Sequence, residues 1–276
     1  MERQDFAEVV RAASPDRYHA TLYAPKNKRD ALSALYAFDV EVAAIRERVR
    51  EPLPGEIRLQ WWRDSIAGEG DGVGHPVAAA LIATIREHKL PVSAFENLLE
   101  ARIFDLYADP MPSRTDLEGY CGEVHGAVMQ LAALILNADA APAAAEAAGH
   151  GGCAQGMAFL LRSVPQQRAW GQCFVPRDIL AATGSSPEAF SHGEAGPNER
   201  AAVAALLALA RDHLARFEAA AHGLPATLRP AFLPLAVTPL QLDRLRDPAQ
   251  VLAGTTRNVP AWRRQWAVFR RASRGW

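Results

Sequence analysis

The chain has 276 residues, 49% of them apolar, which suffices for one large core or two modest ones. Thirty Lys and Arg against 31 Asp and Glu leave a net charge of −1, so no global field recruits nucleic acid or an anionic surface. Cys121, Cys153 and Cys173 form no CxxC pair and leave one thiol unmatched, which argues against a disulfide frame and for reduced thiols in the cytoplasm. No run of about 18 apolar residues suggests a membrane span. The opening Met1 to Phe6 lacks the apolar core of a secretory signal and is too acidic for a transit peptide, so a cytoplasmic location is expected. Richness in Ala and Arg suits a GC-rich bacterial genome.

Helix signals dominate. Asp30 to Arg50 runs without Gly or Pro, with Leu32, Leu35, Tyr36, Val42 and Ile45 as an apolar stripe at helical spacing. Pro52 and Pro54-Gly55 are expected to end it, and Glu56 to Ala67 to resume as a short helix before a Gly68 to Gly74 loop. Pro76 to Lys89, Val92 to Tyr107 and Asp116 to Leu136 read as three more helices, with Ser113 as a cap for the last. Ala143 to Val164 is an Ala/Gly-rich helix stopped by Pro165. Pro176-Arg177-Asp178 opens a short helix that Gly184 ends, and Gly184 to Pro197 reads as a surface loop. Asn198 to Ala221 is a long helix, Pro230 to Arg246 is a helix interrupted by Pro234 and Pro239, and Pro260 to Ser273 closes the chain. Period-two runs are scarce and no repeat or linker stands out. The expectation is one all-α domain over residues 1–276.

Several local patterns carry chemistry or its absence. The eight histidines show no HxxxH or HExxH spacing, so no metal site is expected from them. Gly149 to Gly152 follows no strand, so a nucleotide-binding loop fails its context, and helix packing is the simpler use of Gly152 and Gly156. Trp61-Trp62 beside Arg58 and Arg63 reads as a core tryptophan next to a rim tryptophan, with a partner or lipid headgroup as the alternative. Trp262, Trp266 and Phe269 recur at i, i+4 and i+7 among Arg263, Arg264, Arg270 and Arg271. That basic amphipathic helix either docks its aromatics into the domain or makes peripheral contact with an anionic membrane such as the inner membrane.

Tyr120-Cys121-x-x-Val124-x-Gly126-x-Val128 resembles the Tyr-Cys-x-x-Val-Ala-Gly signature of the squalene and phytoene synthases. Gly152, Leu161 and Arg162 match that family's second aspartate helix, Tyr36-Ala37-Phe38 the start of its first, and Phe174-Val175-Pro176-Arg177-Asp178 the element that follows. The resemblance runs from about Asp16 to Phe269. It implies an all-α isoprenoid (terpenoid) synthase-like bundle around a central apolar cavity, with the Tyr120 helix lining the place of the prenyl tail.

In that family, ionising an allylic diphosphate requires Mg²⁺ bridged to carboxylates spaced i and i+4 on two facing helices. Here the first pair aligns onto Ala43 and Glu47 and the second onto Ser163 and Gln167, so one carboxylate of four survives. Asp39 lies on the Ala43–Glu47 face, but on a continuous helix it would stand about 12 Å from Glu47. Where the family has diphosphate-contacting serines, this chain reads Asp16-Arg17-Tyr18-His19. Arg17-Tyr18, Arg58-Leu59-Gln60-Trp61-Trp62, His75-Pro76-Val77-Ala78 and Gly152-x-Ala154-Gln155-Gly156 resemble a divergent branch of the superfamily. That branch contains the mitochondrial assembly factor of respiratory complex I and its bacterial relatives.

The resemblance therefore implies a family member that has lost Mg-diphosphate catalysis, needs no cofactor, and acts as a binding or assembly protein with complex I subunits or a prenyl lipid as partner. The expected ligand pocket comprises Phe38, Asp39, Ala43, Glu47, Tyr120, Val124, Phe159, Arg162 and Ser163, with no catalytic or metal residue assigned. The alternative is an active, Mg²⁺-dependent prenyltransferase condensing two prenyl diphosphates. A passive carrier of a polyprenyl or quinone-like lipid is a third reading.

Overall fold

The computed structural model describes residues 6–68 and 74–276; most of the expected Gly68 to Gly74 loop lies outside them. Helices follow one another throughout, with no strand among the described residues. The first two, α1 (Phe6–Ala13) and α2 (Pro15–Thr21), precede any helix expected from periodicity. Then come α3 (Lys26–Ala43) and a separate turn, α4 (Ile45–Arg48). The expected Asp30 to Arg50 helix thus breaks at Ala44, and Glu47 does not extend the straight axis that carries Asp39.

Proline starts the next helix instead of ending the last. In α5 (Pro52–Ala67) Pro52 sits in the first turn, where its missing N–H needs no partner, and Gly68 at φ +83° closes the other end. The chain continues through α6 (Pro76–His88), α7 (Val92–Ala101) and a 3₁₀ turn at Arg102–Leu106. Then α8 (Arg114–Cys121) runs into α9 (Ala127–Leu136) through a π turn at Gly122–Gly126. Ser113 Oγ accepts from Asp116 N, the cap the sequence suggests.

Next is α10 (Ala145–Arg162), and after Ser163 the chain starts α11 (Val164–Ala169) with Pro165 in its first turn. After α12 (Arg177–Ala182), the segment expected as a loop holds α13 (Pro187–His192), capped by Ser186 and anchored by buried Phe190. The longest helix, α14 (Pro197–Ala221), leads to α15 (Arg229–Phe232), a 3₁₀ turn at Leu233–Val237, and α16 (Thr238–Arg244). The chain ends with α17 (Pro248–Ala253) and α18 (Ala261–Arg274).

Two large apolar clusters meet at α10. One gathers α3, α6, α7 and α9 around Phe38, whose ring meets Trp62 and Phe95 edge-on at 5.0 and 5.6 Å. Trp62 is core and Trp61 is rim, as expected, with His75 against both rings. The other cluster gathers α8, α10, α14 and α17 around Leu117, Met157, Phe190 and Leu206. Ala147 and Ala148 of α10 join the first and Met157, Ala158, Leu160 and Leu161 the second, so one helix ties both together. Its most extensive partner is α14. There His150 Nδ1 and His213 Nδ1 lie 3.0 Å apart, and His213 Nε2 is 3.0 Å from Glu118.

The glycines of α10 set how closely it crosses the π turn. A Cβ on Gly152 would stand 2.5 Å from the Gly126 Cα, and one on Gly126 would stand 2.9 Å from the Ala148 carbonyl oxygen. Backbone faces backbone, so no side chain can give way. At Gly149, by contrast, a Cβ meets nothing within 4 Å. Gly152→Ala should therefore destabilise the protein by about 1–3 kcal/mol through overpacking. Gly149→Ala should stabilise it by roughly 0.5–1 kcal/mol through helix propensity. Urea denaturation of the two variants checks the opposite signs.

Candidate functional site

A cavity of about 280 Å³ opens where α2, α3, α4, α8, α10 and α11 converge. Exposed Ala43, Glu47, Phe159 and Arg162 stand at its mouth, while buried Arg17, Asp39 and Arg102 form its floor. The middle of α3 is buried from Ala31 to Asp39, so Asp39 enters the interior as the one acid in an apolar run. A buried carboxylate is tolerated only with cationic or hydrogen-bonding partners. Arg17, from α2, donates to Asp39 Oδ2, and Arg102 Nη2 lies 3.6 Å from Asp39 Oδ1.

The network runs on. Arg102 Nη1 donates to Asp105 Oδ2 at 3.0 Å, and the Tyr120 hydroxyl donates to Asp105 Oδ1 at 2.6 Å. Gln172 Nε2 donates to the Asp105 and Tyr107 carbonyls at 2.6 and 3.0 Å. Two buried cations therefore face two carboxylates. Burial alone would raise the Asp39 carboxyl, but Arg17 and Arg102 outweigh it and hold the group below the usual carboxylate range. Burial would lower Arg102 too, yet Asp105, Tyr120 and Asp39 leave it raised. Burial and Asp105 push the Tyr120 phenol well above its ordinary value. His125, presented by the π turn, is pushed down to about 3 by burial and the two arginines, so the imidazole is neutral at physiological pH.

The mouth is built differently. Arg264 clamps Asp16 through two hydrogen bonds of 2.9 and 2.7 Å. Arg46 lies over the Trp170 ring at 4.7 Å and Arg162 over Phe159 at 5.7 Å. Ser163 Oγ donates back to the Phe159 and Leu160 carbonyls, at 2.9 and 3.2 Å, closing the end of α10. Gln167 is buried, and its amide donates to the Leu160 carbonyl at 2.8 Å and to Ser163 Oγ at 3.0 Å.

Of the residues singled out from sequence, Asp39, Ala43, Glu47, Tyr120, Phe159, Arg162 and Ser163 line the cavity. Phe38 and Val124 do not: both are fully buried in packed helix faces beside it. The lining is also less apolar than expected, because its floor is ionic. Arg17 and Gln167 entered the sequence reading only as family replacements, and Arg102, Asp105, His125 and Gln172 were missed. The one local signal for Arg102 and Asp105 was an Arg and an Asp three residues apart in the otherwise apolar segment Ala101 to Leu106.

These donors do not suit the magnesium pair that the resemblance implies. Asp39 is claimed by two arginines, Ala43 offers no ligand, and the oxygen of Ser163 and the amide of Gln167 serve their own helix ends. Hard cations require several free carboxylate oxygens at one point. Among the described residues no cluster of three or more His, Cys, Asp or Glu is placed to hold a metal.

The family model for squalene/phytoene synthase matches residues 10–267. Mouse (Mus musculus) "NADH dehydrogenase (ubiquinone) complex I, assembly factor 6" is 29% identical over 228 residues, covering 82% of this chain and 68% of that protein. Presqualene diphosphate synthase of Rhodopseudomonas palustris is 29% identical over 170 residues, 60% of each chain. A crystal structure of a dehydrosqualene synthase in complex with ligand superposes with a TM-score of 0.79 at 18% identity, covering 97% of this chain and 94% of that one.

Asp39→Asn leaves Arg17 and Arg102 buried beside a neutral amide, and should destabilise the fold by about 3–5 kcal/mol in chemical denaturation at neutral pH. For His125 the native pKa of about 3 lies below the unfolded value of 6.5. As pH falls from 6.5 towards 3 the unfolded chain takes up a proton that the native imidazole refuses, so stability is lost across that window. His125→Asn should reduce that acid loss, seen as a flatter dependence of unfolding midpoint on pH.

Proposed function

The chain belongs to the squalene/phytoene synthase family, and from that premise we propose that it has given up metal-assisted diphosphate chemistry and serves as a binding or assembly protein for respiratory complex I. The observation that carries this reading is the state of Asp39, whose carboxylate is engaged by Arg17 and Arg102. A diphosphate-bound metal cluster would have to displace two buried cations from it. The inward turn of Gln167 and the loss of a carboxylate at Ala43 support the same reading.

Cavity size favours it as well. About 280 Å³ falls just below the roughly 300–1,000 Å³ that ligand pockets span. Two prenyl chains need far more room, and beside the cavity Cys121 and Val124 are packed with no exposure. Relatives from mouse, rat, cattle and human named as complex I assembly factors, each 28–29% identical over 228 residues, support the assembly role. The relative named presqualene diphosphate synthase keeps the prenyltransferase as the competing reading.

Thermal unfolding with farnesyl diphosphate, with and without Mg²⁺, separates the two. A ligand at about 100 times its Kd adds roughly 2.7 kcal/mol to a native state it binds. The expected result is no Mg²⁺-dependent stabilisation and no pyrophosphate release, together with NADH dehydrogenase subunits retained by the tagged chain from its own cells. Mg²⁺-dependent stabilisation with pyrophosphate release would overturn the proposal in favour of the prenyltransferase.

A further inference from the structure

The last helix docks with the face that its aromatics leave free. Val268 of α18 is buried against Ala20, Leu233 and Val237, with Ala267 and Ala272 packed beside it. Arg264 pairs with Asp16, and Arg271 donates to Glu218 at 2.6 Å. Positions 264, 268, 271 and 272 thus form the inner stripe, at helical spacing. Trp262, Trp266 and Phe269 point away and are 67%, 61% and 50% exposed. Docking these aromatics into the domain, the simpler expectation from sequence, does not occur.

Across from them, at the end of α2, Leu22 and Tyr23 are each 45% exposed. Together with His19 and Gln265 the two helices enclose an apolar surface groove of about 910 Å³. Charge frames it on one side of the scale only. The helix carries five arginines and no acid, and among the described residues Arg263, Arg270 and Arg274 form no ion pair. Arg263 instead lies over Trp262 at 5.7 Å. With the whole chain at −1, this is a local feature and not a spill-over of global charge.

The geometry points to an anionic lipid bilayer as the occupant of this face, held by Trp262, Trp266, Phe269, Leu22 and Tyr23 in the interface, with Arg263, Arg270 and Arg274 at the headgroups. Indole and phenol rings favour the headgroup level, where one edge is apolar and the other wet. Arginines that form no ion pair among the described residues complement anionic headgroups and would be left uncompensated against neutral lipid. The groove also adjoins the cavity, because Arg264 and Asp16, which fix α18 to α2, belong to the cavity wall. Docking would therefore hold the cavity beside the membrane surface. Nothing in this depends on whether the cavity retains catalysis.

Vesicle co-sedimentation of the full chain tests it, using phosphatidylcholine alone and phosphatidylcholine with about one third phosphatidylglycerol. The expected result is binding to the anionic vesicles only, weakened at high salt, and weakened about tenfold or more by Trp266→Ala with Phe269→Ala or by Arg263→Glu with Arg270→Glu. All four side chains are exposed, so circular dichroism and unfolding midpoint should match the parent and separate lost binding from lost fold. No binding to anionic vesicles, or binding that both variants retain, overturns the proposal. So does a concentration-dependent dimer that Trp266→Ala with Phe269→Ala dissociates, since a second copy would then own the face.

Discussion

The ion chain Arg17–Asp39–Arg102–Asp105–Tyr120 is the constraint on which the cavity depends. It joins two pairs of successive elements that lie far apart in the chain, α2 with α3 and the 3₁₀ turn after α7 with α8. Removing so many charges from water is unfavourable, and their mutual attraction offsets it only when every partner is in place. The consequence is specificity of arrangement: no member can shift without stranding another. Gln172, reaching to the Asp105 and Tyr107 carbonyls, extends the same fixation to the segment after α11.

Above this floor, close approach of α10 is what brings the second wall into reach. The π turn at Gly122–Gly126 places one extra residue in the helix that joins α8 to α9, and turns His125 towards the ionic floor. Glycine at 126 and 152 lets that widened turn meet α10 backbone to backbone. Gly156 continues the contact, since a Cβ there would stand 2.7 Å from the Cys121 sulfur and from the His125 ring. The Tyr-Cys-x-x-Val-x-Gly pattern is therefore legible as a packing device in its own right: Tyr120 serves the cavity, and Cys121 and Gly126 serve the crossing.

The helices themselves were largely readable, because apolar residues at helical spacing mark α3, α6, α7, α9, α10 and α14. Proline was the systematic error. Pro52 and Pro165 read as stops, and each occupies the first turn of a new helix, where its ring fits and its missing N–H is not needed. Pro187 belongs to the same class, and Ser186 before it was the overlooked cap. The short α1 and α2 were missed because helices of 8 and 7 residues give too few turns for a period to show. Seven of nine expected pocket residues line the cavity, since helical register places Ala43 with Asp39 and Phe159 with Arg162 and Ser163. What register cannot show is which distant charges meet. Arg102 and Asp105 lie more than 60 residues from Asp39 in sequence, and only the fold brings them to it.

The replacements at the family's aspartate positions make electrostatic sense as a set. A site built for magnesium and diphosphate balances its acids with metal and its metal with phosphate, so it is complete only when loaded. Here the floor balances itself, Arg17 and Arg102 against Asp39 and Asp105. Acids placed at Ala43 and Ser163 would line the same cavity as Asp39, whose carboxylate Arg17 and Arg102 already engage. Conversely, Arg17 needs Asp39 because its α2 setting is buried, with the Tyr36 ring 5.2 Å from its guanidinium. A neutral Gln167 can then fold inward and close the end of α10, which a charged aspartate could not do without stranding its charge. The charges of the floor are thus answered by its own side chains, and Gln167 and Ser163 are engaged at the end of α10.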